Sequence, residues 1–520
     1  MSEGRSPGVG TKRWRTSRPG GTEKPPCRAQ SSPPATTPAA ACLITRFGLL
    51  CLLMVCGCAR PVPRDALVIA QSPRSTTLYP ARDIMDALFP HGSRIVVATA
   101  GSDPKTIRVV SAGLSAAAEP VISYDAGRIL FAGKSAPDAD WQIYETPRDG
   151  GSVRALTAVP GGAMDPALLS DGSLLFVSPV PKTQASTSAA APSALYVQPP
   201  GGTPYRLTYG TSQVRDPTVL SDGRILFVSS QSSASGNGAI GLALYTINSD
   251  GTEISAFAGQ HDKPAAIRRP RQLPDGRIVF VTADSAHLDL STAETVLSAR
   301  PFRSRAPLLS DSSPLIHAVQ PAENGDLLVC AKTTEGGTHS SSSVFRLSAG
   351  SSSLQMPVFT DPDWNSIEAA QLSASQRPMG RISNVDLSHN TGQILCLDAN
   401  DSSYSAGEHQ HAPRAARIRV FTESPSANHC VLGEVAVQAD GSFMAEVPAD
   451  IPIGFEALDE HGQVLRREPA MIWVRPGENR SCIGCHEPHN HSPRNLRPLA
   501  VRTPVPKLCG GPTKLAQNVR

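Results

Sequence analysis

Several features are scarce or missing in this sequence, and each absence excludes a class of function. Of the 520 residues, 5% are aromatic and 18% are charged, and the net charge is +3. A chain so close to neutral gives no electrostatic reason to expect nucleic-acid binding. The Gly-x-Ser-x-Gly motif is also missing, which argues against a serine hydrolase of the α/β type. What remains suits a large globular protein.

A long apolar run is missing as well. Residues 42–55 are apolar, but Arg46 interrupts them, and they are too short to cross a membrane as a helix. Their length is that of a signal-peptide core. Gly57 and Cys58 follow, and a small residue before a cysteine resembles the bacterial lipobox. We therefore expect a signal peptide over residues 42–58, with Cys58 as the lipid-modified residue. A plain cleaved signal peptide is the alternative.

We therefore expect the exported protein to lie in the periplasm or cell envelope and to be held at the membrane by the lipid anchor. Residues 1–41 are rich in Pro, Ser, Thr, Gly and Arg and show no apolar periodicity. We expect this segment to be disordered, or to lie before the true start of translation.

One Cys-x-x-Cys-His string is present, formed by Cys482, Ile483, Gly484, Cys485 and His486. This spacing is the attachment signature of a c-type haem. Each thiol adds to one vinyl group of the porphyrin, and the adjacent histidine is then carried under the ring to the iron. The motif predicts one covalent haem c on Cys482 and Cys485, with His486 as the axial iron ligand.

Two alternatives to haem stay open for this motif, namely half of a zinc site and a disulfide loop. The chain has no second Cys-x-x-Cys pair, so the further ligands that zinc needs would come from scattered positions. Those positions are Cys396, His429, Cys430 and Cys509.

The sixth iron ligand is also left open. His489 and His491 lie close to the motif, and Met444 and Met471 are the nearby methionines. Ligation by two histidines, or by histidine and methionine, would suit electron transfer. An open position would suit the binding or conversion of a small molecule.

Between about residues 120 and 400 the chain repeats a glycine-containing turn followed by an apolar run. The copies are residues 124–131, 170–178, 221–229 and 274–281, with weaker ones at 324–329 and 391–397. Asp-Gly suits a hairpin turn because glycine takes positive φ without steric cost, and the apolar run predicts a buried strand. The turn glycines at 127, 172, 223, 276, 325 and 392 are 45 to 67 residues apart, the length of four-stranded propeller blades.

These units resemble the WD40-like repeats of TolB and prolyl-oligopeptidase propellers. In the first three, a second strand follows at residues 141–144, 194–197 and 242–247. We predict an all-β fold with a six-bladed propeller over residues 66–400, in which residues 66–119 add an outer strand or a short element that closes the ring. An irregular pair of β-sandwiches is the alternative.

Four charged residues near the starts of the inner strands could line a central funnel and bind a solute. They are Asp165, Asp216, Arg271 and Arg377. The competing interpretation is that each of them makes a hydrogen-bonded contact between blades.

The remainder of the chain divides into three parts. We expect residues 401–412 to form a polar linker, with His409 and His411 solvated. Residues 413–478 contain short alternating strands, which predict a small β-sandwich. Residues 479–520 then hold the haem motif and an extended tail.

Residues 432–443, 446–450, 473–478 and 482–487 together resemble the haem-bearing middle domain of the hydrazine synthase alpha subunit family. The resemblance implies a propeller before that domain. It also implies a tyrosine iron ligand four residues after the motif histidine, a role for that histidine in holding zinc, and a second haem in a later domain. Here the fourth position after His486 is Asn490, no tyrosine follows Tyr404, and the string occurs once. The sequence therefore argues against hydrazine formation.

The sequence thus predicts a c-type haem protein with a propeller scaffold, working in electron transfer with a redox partner protein. One alternative is a haem enzyme acting on a small nitrogen or oxygen compound between the propeller and the haem domain. Another is a propeller that binds a solute or protein. Whether the protein is an enzyme stays open, and no catalytic residue is assigned.

Overall fold

The computed structural model describes residues 65–74, 84–180, 192–232, 240–260, 265–284, 287–335, 338–339, 341–402, 413–423, 429–468, 470–485, 492 and 496–508. These residues belong to one compact unit, residues 59–520. Nearly all of their regular structure is strand. The α-helix among them is the short α1 (Ile84–Leu88), and 3₁₀ helices lie at Pro104–Thr106, Glu323–Gly325 and Leu499–Arg502. The predicted all-β fold is confirmed. No helix in the described ranges is long and apolar enough to cross a membrane.

Six sets of four strands repeat along the chain. The first contains β1 (Ala66–Pro73), β2 (Arg94–Thr99), β3 (Arg108–Val109) and β26 (Trp364–Gln371). The second contains β4 (Ala116–Ile122), β5 (Arg128–Lys134), β6 (Gln142–Pro147) and β7 (Arg154–Ala155). The third contains β8 (Met164–Leu168), β9 (Leu174–Pro179), β10 (Ser193–Gln198) and β11 (Tyr205–Arg206).

The fourth set contains β12 (Val214–Val219), β13 (Ile225–Ser232), β14 (Ile240–Ile247) and β15 (Ser255–Ala258). The fifth contains β16 (Ala265–Gln272), β17 (Arg277–Asp284), β18 (His287–Leu297) and β19 (Ala306–Pro307). The sixth contains β20 (Leu315–Pro321), β21 (Leu327–Lys332), β24 (Ser343–Leu347) and β25 (Pro357–Phe359), with a small hairpin of β22 (Thr334–Glu335) and β23 (Thr338–His339) beside it.

The inner strands of the six sets close a ring, because β4, β8, β12, β16, β20 and β26 contact one another in cyclic order. These six sets are called the propeller below. The ring is closed by β1 and β26, which pair antiparallel with Val68 opposite Ala370. Residues 66–119 therefore help to close the ring, as predicted, but they supply three strands of a blade rather than one outer strand or a short leading element. That prediction missed the pairing because the fourth strand of this blade comes from the far end of the propeller.

The predicted turn-and-strand repeat builds the interior of the propeller. The apolar run after each of the first five turns forms the second strand of a blade. Its phenylalanine is at most 1% exposed in four successive blades, as Phe131, Phe176, Phe227 and Phe280. Gly223 shows why glycine is needed in one of these turns. It has φ of +83°, and a Cβ there would lie 2.4 Å from the carbonyl oxygen of Met379.

A second body follows, built from two sheets. One has the order β30 (Phe443–Pro448), β27 (Thr391–Asp398), β33 (Asn479–Gly484). The other has the order β29 (His429–Ala436), β28 (Arg417–Glu423), β31 (Gly454–Leu458), β32 (Val464–Arg467). Buried residues of both sheets, among them Ile394, Ile418 and Phe443, pack into one core. This body, called the sandwich below, confirms the predicted fold class.

The sequence placed the boundary between propeller and sandwich incorrectly. Gly392 was counted in the sixth repeat, but its strand, β27, pairs with β30 and β33 in the sandwich. The last strand of the propeller ends at Gln371, so the predicted limits of 66–400 and 413–478 need correction. The repeat pattern is local, whereas the sheet that a strand joins depends on partners far away in the chain.

Residues 373–390 connect the two bodies and run over the turns of successive blades. The amide of Ser375 donates to the carbonyl of Tyr124, and the amide of Met379 donates to the carbonyl of Ser221. Further on, the amide of Asn384 donates to the Asp250 carboxylate at 2.9 Å. The connection therefore brings the sandwich to the side of the propeller where the fourth blade lies.

Candidate functional site

Strand β33 positions the motif cysteines. It runs parallel to β27, so that Cys482 lies opposite Cys396, and Arg480 lies opposite Ile394. Side chains alternate between the two faces of a strand. Arg480 and Cys482 therefore point to the same side of the sheet, and Cys485 follows directly after the strand ends.

That side of the sheet borders a cavity of about 670 Å³ between the sandwich and the propeller. On the sandwich side its lining includes Ile394, Cys396, Phe443, Phe455, Cys482 and Cys485. On the propeller side its lining includes Val214, Phe227, Tyr245, Ile254, Gln260 and Phe302. The volume falls within the range of roughly 300–1,000 Å³ that is usual for cofactor and ligand pockets. The two motif cysteines thus open onto a space large enough for a cofactor.

The segment before β33 fixes the sandwich to the propeller. Trp473 is 3% exposed and packs in the propeller core, and its indole Nε1 donates to the carbonyl of Gly251 at 3.2 Å. The Arg475 guanidinium donates to the carbonyl of Asp250 at 3.1 Å. Glu478 accepts from the amide of Glu253 at 2.9 Å. These contacts hold the two walls of the cavity in place.

Gly251 is required at this contact for two reasons. Its φ is +86°, a conformation that side chains other than glycine rarely adopt, and a Cβ there would lie 2.6 Å from both the Arg475 Nη1 and the Leu207 carbonyl oxygen. The turn of the fourth blade and the docked arginine therefore fit together only because this position has no side chain.

Burial keeps two of the cysteine thiols at the cavity in the neutral form. Burial, and secondarily the Glu468 carboxylate 3.7 Å from its sulfur, raises the pKa of Cys485 to about 12. Burial, with the neighbouring Cys482 and Cys485 thiols, also raises the pKa of Cys396 well above its usual value.

The zinc and disulfide alternatives find no support in the part of the chain that the structure describes. There the group of acidic, histidine and cysteine side chains close enough to share a metal ion is Glu119, Asp165 and Asp216, which lies in the propeller. Cys482 and Cys485 belong to no such group among these residues, and the described cysteines form no disulfide with one another.

Several predicted site residues lie outside the described residues. These are His486, His489, His491 and Cys58, whose roles stay predictions. Met471 is described and does line the cavity. Its sulfur would lie 2.8 Å from a Cβ at position 454, so Gly454 makes the room that Met471 occupies. Met471 therefore lines the cavity, and its role as a distal ligand stays a prediction.

The residues around the cavity fit a haem in their shape and chemistry. The lining is mixed: its aromatic and aliphatic side chains suit the porphyrin ring, Glu423 and Glu468 add acidic groups, and Arg480 adds a cation for the haem carboxylates. The Arg480 Nη2 donates to the carbonyl of Ile254, whereas its Nε and Nη1 are buried without a hydrogen-bond partner. A buried guanidinium with unpaired donors is costly, and a propionate carboxylate would satisfy those donors.

Sequence reasoning missed both Arg480 and Tyr245. Arg480 could have been found from the alternation of side chains, because it precedes Cys482 by two residues on the same strand. Tyr245 belongs to the propeller repeat, and its sequence gives no sign that it faces the sandwich.

The charged residues predicted at the inner strands have a different role. Glu119, Asp165, Asp216 and Arg269 occupy the same position in four successive blades, each at a bulge before a proline, and their φ values are +48° to +56°. They line a narrow channel along the axis of the propeller, with about 20 Å³ of free space. That is room for about one water molecule.

Hydrogen bonds link these channel residues from blade to blade. Glu119 accepts from the amide of Asp165 at 2.7 Å, and Asp165 accepts from the amide of Asp216 at 3.1 Å. Asp216 accepts in turn from the amide of Arg269 at 3.0 Å and from the Arg268 guanidinium. The interpretation as contacts between blades is therefore the better one.

The two predicted arginines of the funnel lie in different places. Arg271 lines the channel and donates to Glu368 at 3.2 Å. Arg377 lies in the exposed connection, where it donates to the carbonyl of Ser170 at 3.4 Å, so its placement in the funnel was wrong. The solute funnel was predicted from sequence position alone, which does not report the free space between the blades.

The fold and the cavity together define a class of protein, in which a propeller is closed on one side by a β-sandwich that carries a Cys-x-x-Cys-His motif. Residues 392–487 match the family model described as the hydrazine synthase alpha subunit middle domain. The resemblance found in the sequence is thereby confirmed.

Two further matches show similarity to hydrazine synthase over more of the chain than residues 392–487. The hydrazine synthase subunit alpha of Kuenenia stuttgartiensis is 21% identical over 541 residues, a match covering 82% of this chain and 66% of that subunit. The chain therefore spans just under two thirds of this curated relative.

The solved Kuenenia stuttgartiensis hydrazine synthase superposes with a TM-score of 0.75 at 18% identity, covering 85% of this chain and 72% of that one. TolB from Acinetobacter baumannii is a more distant match, with a TM-score of 0.38 and 14% identity over 56% of this chain and 65% of that one. At 18% identity the solved hydrazine synthase establishes the fold alone.

Proposed function

We propose that this chain is an exported c-type haem protein, in which one haem is attached to Cys482 and Cys485 and occupies the cavity between sandwich and propeller. Its work would be electron transfer with a partner protein. One observation carries the proposal: both cysteines of the attachment motif open onto a largely apolar cavity of about 670 Å³. His486 is the axial ligand that the motif supplies.

Bound haem would supply a one-electron iron couple. The surrounding residues would exclude water and hold the group. Phe443 and Phe455 on the sandwich and Phe227 on the propeller line the cavity, and such apolar contacts favour a flat, largely apolar ring. Arg480 would bind a propionate through its unpaired Nε and Nη1.

The position in the cell is part of the same proposal. We propose export through residues 42–58, lipid attachment at Cys58 and a location in the periplasm or cell envelope. Support comes from the chemistry, because c-type haem is attached outside the cytoplasmic membrane in bacteria. The curated relative is by its name a subunit, which supports a protein partner for this chain. Hydrazine formation is not proposed, since Asn490 stands where the resemblance implies a tyrosine ligand.

A second function is favoured by one specific feature. The Tyr245 and Gln260 side chains bring polar groups to the propeller wall of the cavity, where they lie within hydrogen-bonding reach of each other. An electron-transfer haem needs no such groups. A haem that binds a small nitrogen or oxygen compound would use them.

The test is haem attachment to the full chain in cells that carry the c-type maturation machinery. A pyridine haemochrome should report one covalent haem per chain for the natural sequence and none for the Cys482→Ser, Cys485→Ser double variant. Cys430→Ser, on β29 of the sandwich, is the matched control and should keep its haem. No covalent haem on the natural sequence would overturn the proposal.

The loaded protein then separates the two functions. A low-spin haem that does not bind carbon monoxide would support electron transfer. A high-spin haem that binds carbon monoxide would support the second function.

A further inference from the structure

One loop of the propeller reaches the mouth of the cavity. It joins β18 to β19 in the fifth blade and covers residues 298–305. Phe302 of this loop lines the cavity and is also 38% exposed. Among the residues that the structure describes, no other large apolar side chain of the lining is exposed. Because Phe302 borders both the cavity and the solvent, it marks a place where the cavity opens.

The same loop is strongly basic. Its sequence is Ser-Ala-Arg-Pro-Phe-Arg-Ser-Arg, with three arginines and no acidic residue, in a chain whose 48 basic and 45 acidic residues nearly balance. Arg305 forms an ion pair with Glu294 of the same blade. Arg300 and Arg303 are exposed and make no ion pair with any residue in the described ranges. Two positive charges therefore lie at the surface beside Phe302 without a counter-charge.

Hydrogen bonds within the loop hold its shape. The Ser304 hydroxyl accepts from the amide of Leu297 at 2.7 Å and donates to the carbonyl of Arg300 at 2.7 Å. The amide of Arg303 donates to that carbonyl as well, at 3.1 Å. A loop that is already fixed loses little conformational entropy when a partner binds to it.

We propose that residues 298–305 form the docking surface for an acidic electron-transfer protein, an inference that rests on the proposed haem and its electron-transfer role. Electron transfer slows steeply with distance, so a partner must bind where the cavity opens, and Phe302 marks that place. Aromatic and arginine side chains are enriched in protein interfaces. Each guanidinium of Arg300 and Arg303 can donate two parallel hydrogen bonds to a carboxylate, which selects an acidic partner.

An anionic membrane surface would also attract these two arginines. A bilayer attracts basic residues on any face of a protein, whereas here the unpaired charges lie beside the opening of the proposed redox site. The position of the loop therefore favours a redox protein over the membrane, and vesicles serve as the competing probe below.

Glu423 allows a test of the sign of the interaction. It lines the same cavity from the sandwich side and is exposed. An acidic partner would be repelled by this carboxylate. Glu423→Gln should therefore strengthen binding, whereas loss of the arginine charges should weaken it.

The experiment uses the haem-loaded full chain in its ferric form, with a fully reduced acidic flavodoxin as the probe. One electron passes from the anionic flavin hydroquinone to the ferric iron, which leaves a neutral flavin semiquinone and a ferrous haem. Stopped-flow absorbance gives the rate at each flavodoxin concentration, and its saturation gives an apparent Kd. The double variant Arg300→Glu, Arg303→Glu should raise that Kd about tenfold with the same rate at saturation. Phe302→Ala should raise it about fivefold.

A second double variant, Lys105→Glu with Arg502→Glu, is the matched control. It makes the same change in net charge at exposed positions that do not line the cavity. At an ionic strength of about 0.1 M, where charges are screened beyond about 10 Å, it should leave the Kd unchanged. Thermal unfolding shows whether each variant is folded.

Equal Kd values for the arginine variant and the natural sequence would overturn the inference, as would an equal loss in the control. So would natural chain that binds phosphatidylglycerol vesicles through Arg300 and Arg303 but shows no saturation with flavodoxin. Each of these results would leave haem attachment standing. A chain without covalent haem would overturn the proposed function and the inference with it.

Discussion

The channel of the propeller and the cavity beside the sandwich both bury polar side chains, but they leave very different amounts of space beside them. In the channel, each of Glu119, Asp165 and Asp216 accepts a hydrogen bond from the next blade, and about 20 Å³ stays free. Three side-chain atoms there have no partner, namely Asp165 Oδ1, Arg269 Nη2 and Glu368 Oε2. In the cavity, the Arg480 Nε and Nη1 have no partner, and about 670 Å³ is free. Unpaired atoms in the channel have room for about one water molecule, whereas those at the cavity have room for a cofactor.

The largest expected effect comes from breaking a pair in the channel. Burial alone would raise the pKa of Asp216, but the Arg268 guanidinium outweighs it and holds that pKa well below its usual value. Asp216→Asn leaves Arg268 buried and without its counter-charge. We expect the free energy of unfolding, measured in urea, to fall by about 3–5 kcal/mol.

The control for this variant is a pair on the surface of the next turn. Asp222 and Arg224 form an ion pair 2.8 Å long, with side chains 44% and 37% exposed. Asp222→Asn should cost at most about 1 kcal/mol. Equal losses in the two variants would mean that the channel contributes no more to stability than the surface does.

The channel and the cavity also show which features of the fold and the site could be predicted from the sequence. The blades were predictable because an Asp-Gly turn and the apolar run after it are local features. The motif cysteines were predictable because covalent attachment fixes their spacing. By contrast, Tyr245 differs from Tyr196 of the third blade only through the sandwich that faces it, and no local pattern reports a neighbour so distant in sequence.

The contact that forms the cavity can be tested with two glycines of nearly equal conformation. Gly251 has φ of +86° and Gly172 has φ of +87°, but a Cβ at Gly251 would clash with Arg475 and Leu207, whereas a Cβ at Gly172 meets nothing within 4 Å. Gly172→Ala should cost about 1–2 kcal/mol for the left-handed backbone. Gly251→Ala should cost a further amount of about 1–3 kcal/mol for the overlap.

Urea unfolding of both glycine variants measures that difference. Gly251→Ala should also reduce the yield of covalent haem, because the clash moves the segment that leads into β33. If the two variants lose equal stability and keep equal haem, the docking of Arg475 does not hold the cavity.

The unpaired donors of Arg480 predict a loss that depends on the haem. Arg480→Met keeps the stem of the side chain and removes the guanidinium. In the loaded protein it should lower the free energy of unfolding by about 1.5–3 kcal/mol, the value of a hydrogen bond to a charged group. In the haem-free protein the loss should be smaller, about 0.5–1.5 kcal/mol, because removal of the unpaired Nε and Nη1 offsets part of the lost bond to the Ile254 carbonyl. The surface variant Arg419→Met should change both forms equally, and equal changes for Arg480→Met would argue against a propionate at this position.

The smallest expected effect concerns the pH dependence of the channel. Burial, and next the Asp165 carboxylate, raises the pKa of Glu119 well above its ordinary value of 4.5. The folded state therefore holds a proton on Glu119 that the unfolded chain has lost, and stability falls as pH rises from about 4.5 toward the raised pKa. One such proton changes the free energy of unfolding by at most about 1.4 kcal/mol per pH unit. Glu119→Gln keeps an acceptor for the amide of Asp165 and removes the titrating group, so stability in this window should decline less steeply with pH.

Asp216 acts in the opposite direction, since its lowered pKa makes stability fall as the solution becomes more acidic. Urea unfolding from about pH 2 to pH 8 separates the two carboxyls, because Asp216 acts below its ordinary pKa of 3.8 and Glu119 acts above 4.5. The exposed Glu323→Gln is the control that should leave the profile unchanged. An unchanged profile in Glu119→Gln as well would show that Glu119 is ionised in the folded protein, and the channel would then carry one more negative charge than its hydrogen bonds suggest.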